Sequence, residues 1–222
     1  MTMQSLATQR DLIAQRIRRR RPTTVDLSSV LGVPDSRLVQ EAVEAARCQP
    51  EAVLGHAYRT AVFARALALV DGVDLDHELL AVCGLLHDVG LLTAVAGEDF
   101  TLRSAAVARE VASRVGCGDA SDHLEDAIVV HTTVGVDVER DGVLGCYTQF
   151  GAMVDLVGLR ERQLPHDLVV SAVAAHPRMT LTTDIVRAIR AEARAVPKGR
   201  FDFLRRVGFG PAVRMAAVPS RP

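Results

Sequence analysis

Four side chains able to hold a metal ion punctuate this chain: His56, the adjacent pair His87-Asp88, and Asp155. The pair closes an apolar run, Leu79-Leu80-Ala81-Val82-Cys83-Gly84-Leu85-Leu86. A histidine and a carboxylate drawn into such surroundings are costly unless something compensates them. A divalent metal compensates both: it takes neutral imidazole nitrogen and ionised carboxylate oxygen and cancels the carboxylate charge. Two His and two Asp leave room on the ion for water or substrate, which describes a catalytic metal site. Each residue also has a plainer reading. His56 alone reads equally as a helix-surface histidine, and Asp155, within Met153-Val154-Asp155-Leu156-Val157, as a buried carboxylate paired with an arginine. Apolar flanks at all three places favour the metal.

Neighbouring helices must bring these residues together. On a helix, adjacent side chains diverge by about 100°, so His87 and Asp88 share an ion only near a helix end. His56 and Asp155 then come from other helices of a bundle, where metal sites are commonly built. The helical signals are frequent. Asp35 reads as the N-cap of a helix through Arg47, with Leu38, Val39, Val43 and Ala46 as its apolar stripe. Pro50 opens a helix through His56 to about Val70, Asp71-Gly72 ends it, and Asp76 caps the helix that ends at His87-Asp88. Further helices are expected at Leu102–Val115, Leu124–His131, Leu144–Gly158, Asp167–Ala175 and Leu181–Ala195, with glycines and Pro165 at the joins. Period-2 alternation is confined to Val134–Val138, too short to build a sheet. The expected fold class is all-α. Asp71, Asp74 and Asp76 suggest a calcium loop, but the glycine comes too early and no Glu closes it.

At 222 residues the chain suits one large domain with terminal appendages. The division expected is a basic extension over residues 1–34, a main domain over 35–210 with its core at about 50–160, and a tail over 211–222. A net charge of -1 gives no global attraction for nucleic acid or anionic membrane. The Arg18-Arg19-Arg20-Arg21 run reads as a solvated terminal face. No apolar stretch reaches the roughly 20 residues that span a bilayer, and no apolar segment follows the basic start as in a secretory signal. Cys48, Cys83, Cys117 and Cys146 are too scattered for a zinc knuckle and read as small core residues in a reducing compartment. A cytoplasmic location is expected, and a homo-oligomer is left open.

The ordered elements resemble the H…HD…D signature of the HD domain superfamily of metal-dependent phosphohydrolases and related enzymes, matched by His56, His87-Asp88 and Asp155. Within it, the chain is similar to the cyanamide hydratase-like proteins. His56-Ala57-Tyr58-Arg59 resembles their H-S-Y-R, and Leu86-His87-Asp88-Val89-Gly90-Leu91 their L-H-D-x-G-L. Ile128-Val129-Val130-His131-Thr132-Thr133-Val134-Gly135 resembles A-I-x-x-H-T-T-P-G, and Gly151-Ala152-Met153-Val154-Asp155-Leu156-Val157-Gly158 resembles G-A-x-x-D-V-V-G. Pro177-Arg178 and Pro197-Lys198-Gly199 fit the C-terminal part, so the likeness runs from roughly Pro50 to Gly208. It implies a helical HD bundle with a metal site in its core. The family's R-F-E segment reads Asp99-Phe100-Thr101 here, a change that would alter which small molecule fits.

The resemblance implies one divalent ion, zinc by its N/O donors with iron or manganese as alternatives, held by His56, His87, Asp88 and Asp155. His123 and His131 lie about 12 Å apart if on one helix, too far to complete a second ion together. His131 then serves as acid/base, with Thr132 as its hydrogen-bonding partner. His77 and His123 read as surface residues, and His166-Asp167, which has no apolar lead-in, as a false second HD pair. A metal with an open position lowers the pKa of bound water toward neutrality and polarises an electrophile. The expected function is metal-dependent hydration or hydrolysis of a small polar molecule, in a compact site suggested by Ala- and Val-rich surroundings. The alternatives are a nucleotide phosphohydrolase using Arg59, Arg103 or Arg160 for phosphate, and a metal-binding regulatory module.

Overall fold

The computed structural model describes residues 30–216. The Arg18–Arg21 run and the end of the expected tail lie outside the described residues. Among those residues the chain forms eleven α-helices and no strand. They are α1 (Arg37–Ala46), α2 (Glu51–Asp71), α3 (His77–Leu86), α4 (Phe100–Arg114), α5 (Ser121–Val130), α6 (Val138–Asp141), α7 (Val143–Val157), α8 (His166–Ala175), α9 (Leu181–Ala195), α10 (Arg200–Arg206) and α11 (Phe209–Arg214). The all-α expectation holds. Val134–Val138 runs as turn and irregular backbone into α6 rather than as a strand. No described helix is long and apolar enough to cross a membrane.

Local chemistry explains the boundaries. Asp76 caps α3 by accepting from the backbone N–H groups of Glu78 and Leu79 at 2.8 and 3.0 Å. Gly72 ends α2 in the left-handed region at φ 69°, where a side chain would be strained. The cap of α1 is Ser36 rather than Asp35, its hydroxyl accepting from Val39 N–H at 3.2 Å. Asp71 takes no part in a calcium loop. It accepts from Tyr147 Oη and from Arg160, bridging the end of α2 to α7 and the segment after it.

Helix α2 is the axis of the molecule. It is apolar around most of its circumference and buries Val53, Ala57, Ala61, Val62, Phe63, Ala64 and Leu67, as a helix enclosed by others must. Its most extensive neighbour is α7, with α3 next. Both run antiparallel to it, since Asp155 meets His56 while Gly151 meets Thr60 and Ala64, and His87 meets His56 while Gly84 meets Ala61.

Two glycines permit these crossings. A Cβ on Gly84 would stand 2.8 Å from the Cβ of Ala61, and one on Gly151 would stand 2.8 Å from Ala64 N and collide with the Thr60 carbonyl. Each lies about one helical turn before a site residue on its own segment, His87 or Asp155, so close backbone approach becomes contact between those side chains. Val30 is fully buried in the same core as Phe63 and Leu67, so the packed domain begins before the expected boundary at residue 35. At the other end, α11 docks through buried Val213 onto the cluster containing α9 and α10, so the start of the expected tail is packed structure.

Candidate metal centre

Three side chains converge where α2 meets the end of α3. The Nε2 atoms of His56 and His87 are 3.3 Å apart. Asp88 Oδ2 lies 3.3 Å from His87 Nε2 and 3.8 Å from His56 Nε2. All three residues are buried. His87 is the residue just past α3 and Asp88 the next, leading into a short 3-10 turn at Val89–Leu92, so the two side chains converge as the chain leaves the helix.

That turn is anchored to α4. Gly90 N–H donates to Ser104 Oγ at 2.9 Å, and a Cβ there would collide with the Phe100 carbonyl. Arg103 donates to the Gly90 carbonyl and at 2.7 Å to buried Glu192, which in turn accepts from Phe100 N–H at 2.8 Å.

The other ring nitrogens fix the tautomers. His87 Nδ1 faces the Gly84 carbonyl at 2.8 Å, and a carbonyl only accepts, so Nδ1 carries the hydrogen. His56 Nδ1 lies 2.7 Å from Asp155 Oδ2 and donates to it. The Nε2 atom of each ring is thereby left to face Asp88 Oδ2 and the other ring. Two donors about 2.0–2.2 Å from a tetrahedral ion stand about 3.3–3.6 Å apart, which the observed edges approach closely. The donor set and its spacing therefore fit a divalent metal.

Electrostatics agree. Burial works against ionising Asp88, yet the His87 and His131 rings hold its carboxyl well below the usual range. Burial lowers the pKa of His56 despite Asp155, favouring the neutral imidazole that a metal needs. Burial opposes a charged His87 too, but Asp88, the Gly84 carbonyl and Asp155 together raise that pKa.

Asp155 is placed differently from the expectation that it is a fourth ligand. It lies behind His56, on the side away from Asp88. Its Oδ1 accepts from Arg59 Nε at 2.8 Å and Arg178 Nη1 at 2.7 Å. Its Oδ2 accepts from Arg59 Nη2 at 2.8 Å and from His56 Nδ1 at 2.7 Å. Four donors fill the roughly four lone-pair positions of a carboxylate, so no acceptor is left for an ion. Arg59 further donates to the His176 carbonyl and Arg178 to the Asp155 carbonyl, which fastens α2, α7 and the segment after α8 together. The reading of Asp155 as a buried carboxylate paired with arginine is what the structure shows. It orients the His56 ring, as a carboxylate does behind a histidine that could hold a metal. Arg178 was legible only as part of a C-terminal likeness. Arg59 carried a better signal, sitting one turn from His56 in an apolar helix.

His131 stands at the edge of the cluster, its Nε2 3.6 Å from Asp88 Oδ1 and its Nδ1 donating to the Ile128 carbonyl at 2.5 Å. Burial lowers its pKa and favours the neutral ring, in which the Nδ1–H toward Ile128 leaves Nε2 without a hydrogen. Arg200 steadies the next residues by donating to the Val129 carbonyl at 2.6 Å and Thr133 Oγ1 at 3.1 Å; Thr132 Oγ1 is 3.5 Å from the same nitrogen. Asp99 caps α4 through Thr101 N–H at 2.9 Å and lies 3.7 Å from Arg200 Nε. Phe100 stacks on Phe201 and meets the His131 ring edge-on. His123 and His166 are exposed.

A cavity of about 490 Å³ opens against His87, Asp88, His131 and Thr132. Its remaining wall comes largely from apolar residues of α7, α9, α10 and α11. The compact site expected from Ala- and Val-rich surroundings is therefore corrected to a larger one, because the C-terminal helices enclose space that the motifs around the ligands do not describe. The three arginines considered for phosphate are otherwise engaged: Arg59 with Asp155, Arg103 with Gly90 and Glu192, Arg160 with Asp71 and Gln163. The chain matches no protein-family model and no curated protein.

Proposed function

We propose that the protein is a metal-dependent enzyme of the HD type that adds activated water to, or hydrolyses, a small polar group, in the manner of the cyanamide hydratase-like proteins. The observation that carries this reading is the convergence of His56 Nε2, His87 Nε2 and Asp88 Oδ2 at one end of a cavity, with His131 beside them. Three protein donors with room for a further group is the pattern of catalytic rather than structural zinc. Zinc suits these N/O donors, with iron and manganese as alternatives. When bound, such an ion supplies a water whose pKa falls from 15.7 to about 7 and polarises the electrophile.

The protein's own groups do the rest. Asp155, held by Arg59 and Arg178, keeps the His56 ring turned toward Asp88. Burial favours the neutral His131 ring, and its Nε2, 3.6 Å from Asp88 Oδ1, would accept a proton from a water held at the cluster and return it to the product. The Ile128 carbonyl keeps Nδ1 protonated, so the same ring nitrogen serves both transfers. Thr132, lining the cavity, offers a hydroxyl to the polar group of the substrate. A nucleotide phosphohydrolase is disfavoured because Arg59, Arg103 and Arg160 are committed to other partners. A purely regulatory metal module has no use for an unprotonated, buried His131 facing the cavity.

Metal analysis of the purified protein, followed by turnover assays on cyanamide, small nitriles and nucleoside mono- and triphosphates, tests the reading. A bound divalent ion with turnover confined to the non-phosphate compounds is expected. Robust turnover of nucleoside phosphates alone would transfer the case to the phosphohydrolase.

A further inference from the structure

The cavity beside the cluster is divided by chemistry. Its polar end is made by His87, Asp88, His131 and the Thr132-Thr133 pair. The walls beyond are Leu156, Ile185, Ile189, Phe201, Leu204 and Phe209. Besides Asp88, the charged residues lining it are Asp137 and Arg140, both exposed at the rim. Both already have surface partners: Asp137 Oδ1 accepts from Glu139 and Arg140 N–H, and Arg140 donates to Asp141 and the Gly135 carbonyl. Bringing a charged group down such a wall would strip its water and return no partner.

At about 490 Å³ the cavity has room for roughly sixteen waters at ~30 Å³ each, far beyond what a molecule of a few atoms fills. It falls within the range of about 300–1,000 Å³ typical of small-molecule sites.

We infer that the substrate is an uncharged molecule with an apolar body, a medium-length alkyl chain or a substituted aromatic ring, lying along Leu156, Ile189, Leu204 and Phe209. Its one polar, reactive group is presented to His87, Asp88 and His131. This deepens the proposed function and rests on it for the chemistry at the polar end. The apolar body supplies the binding that a two- or three-atom head cannot. Each methylene taken from water into such a wall strengthens binding about fourfold. It also displaces water from the length of the cavity, which leaves the His131 end drier when the reactive group arrives.

The test uses zinc-loaded protein and straight-chain hydroxamates from acetohydroxamate to octanohydroxamate, titrated calorimetrically. The head binds zinc and only the tail varies. Dissociation constants should fall about fourfold per methylene until the cavity is full, and Leu204→Arg, at a half-buried position, should flatten that dependence. A flat series in the wild-type protein overturns the inference. Absence of any acetohydroxamate binding instead removes the metal reading. The pocket is then judged alone by fluorine NMR of 4-fluoro-n-butylbenzene, which carries no metal-binding group. Line broadening with wild-type protein that disappears in Leu204→Arg, or in Val207→Arg should the first variant misfold, upholds the apolar pocket. No broadening with wild-type protein overturns it.

Discussion

Asp155 Oδ2 lies 2.7 Å from His56 Nδ1, on the opposite side of the imidazole from the nitrogen that faces His87 and Asp88. The carboxylate thus acts on the site through the ring. Asp155→Asn keeps the shape but removes the charge that Arg59 and Arg178 compensate. Stranding buried cations costs about 3–5 kcal/mol, and losing the partner of a metal-binding histidine lowers metal affinity about 10–100-fold. Urea denaturation and competitive zinc titration should show both. Complete loss of zinc from a folded variant would instead make Asp155 a direct ligand.

Asp88 gives Oδ2 to the cluster and Oδ1 toward His131, at 3.3 Å from His87 Nε2 and 3.6 Å from His131 Nε2. Asp88→Ala should therefore lose both the metal and all turnover. Purified variant that retains a full metal complement would refute the assignment.

His131 touches Asp88 without completing the triangle of donors, so His131→Ala should keep the metal. Turnover should drop by about 10²–10⁴-fold, the usual contribution of a general acid–base group. An unchanged rate would take His131 out of the mechanism.

Gly151 lets α7 approach α2 until a Cβ would lie 2.8 Å from Ala64 N and overlap the Thr60 carbonyl. Gly151→Ala pushes the two backbones apart, at about 1–3 kcal/mol for overpacking. Because Asp155 lies one turn on, metal affinity should weaken in the same variant. A thermal melt and a zinc titration that both match wild type would show that the crossing has slack.

The cysteines were expected to be small core residues. Cys83 and Cys146 are buried and all four are free, but Cys48 is exposed at the end of α1. Burial pushes the Cys146 thiol up to about 11 and raises Cys83 as well, because the thiolate is the form that burial penalises. At pH 8 a thiol reagent should modify Cys48 quickly, while Cys83 and Cys146 react only after unfolding. Fast labelling of Cys83 in native protein, read by mass spectrometry, would contradict the packing of α3 against α2.

The sequence by itself determined that the chain is helical and where most helices begin and end. Those signals are local: Asp76 as a cap, Gly72 as a stop, and the apolar periodicity along Leu181–Ala195 act within a few residues. It also singled out His56, His87 and Asp88, because polar groups inside apolar runs stand out without knowledge of their neighbours, and His131 through its Thr-Thr-x-Gly surroundings. The division of labour among them was decided only by tertiary structure. Whether Asp155 faces an ion or an imidazole nitrogen depends on Arg59, 96 residues away, and on Arg178 reaching back to it. The size of the cavity likewise depends on α9, α10 and α11 closing over α7. No local pattern encodes such distances, since they arise from how closely Gly84 and Gly151 let the helices approach, and that closeness exists only once both partners of each crossing are folded.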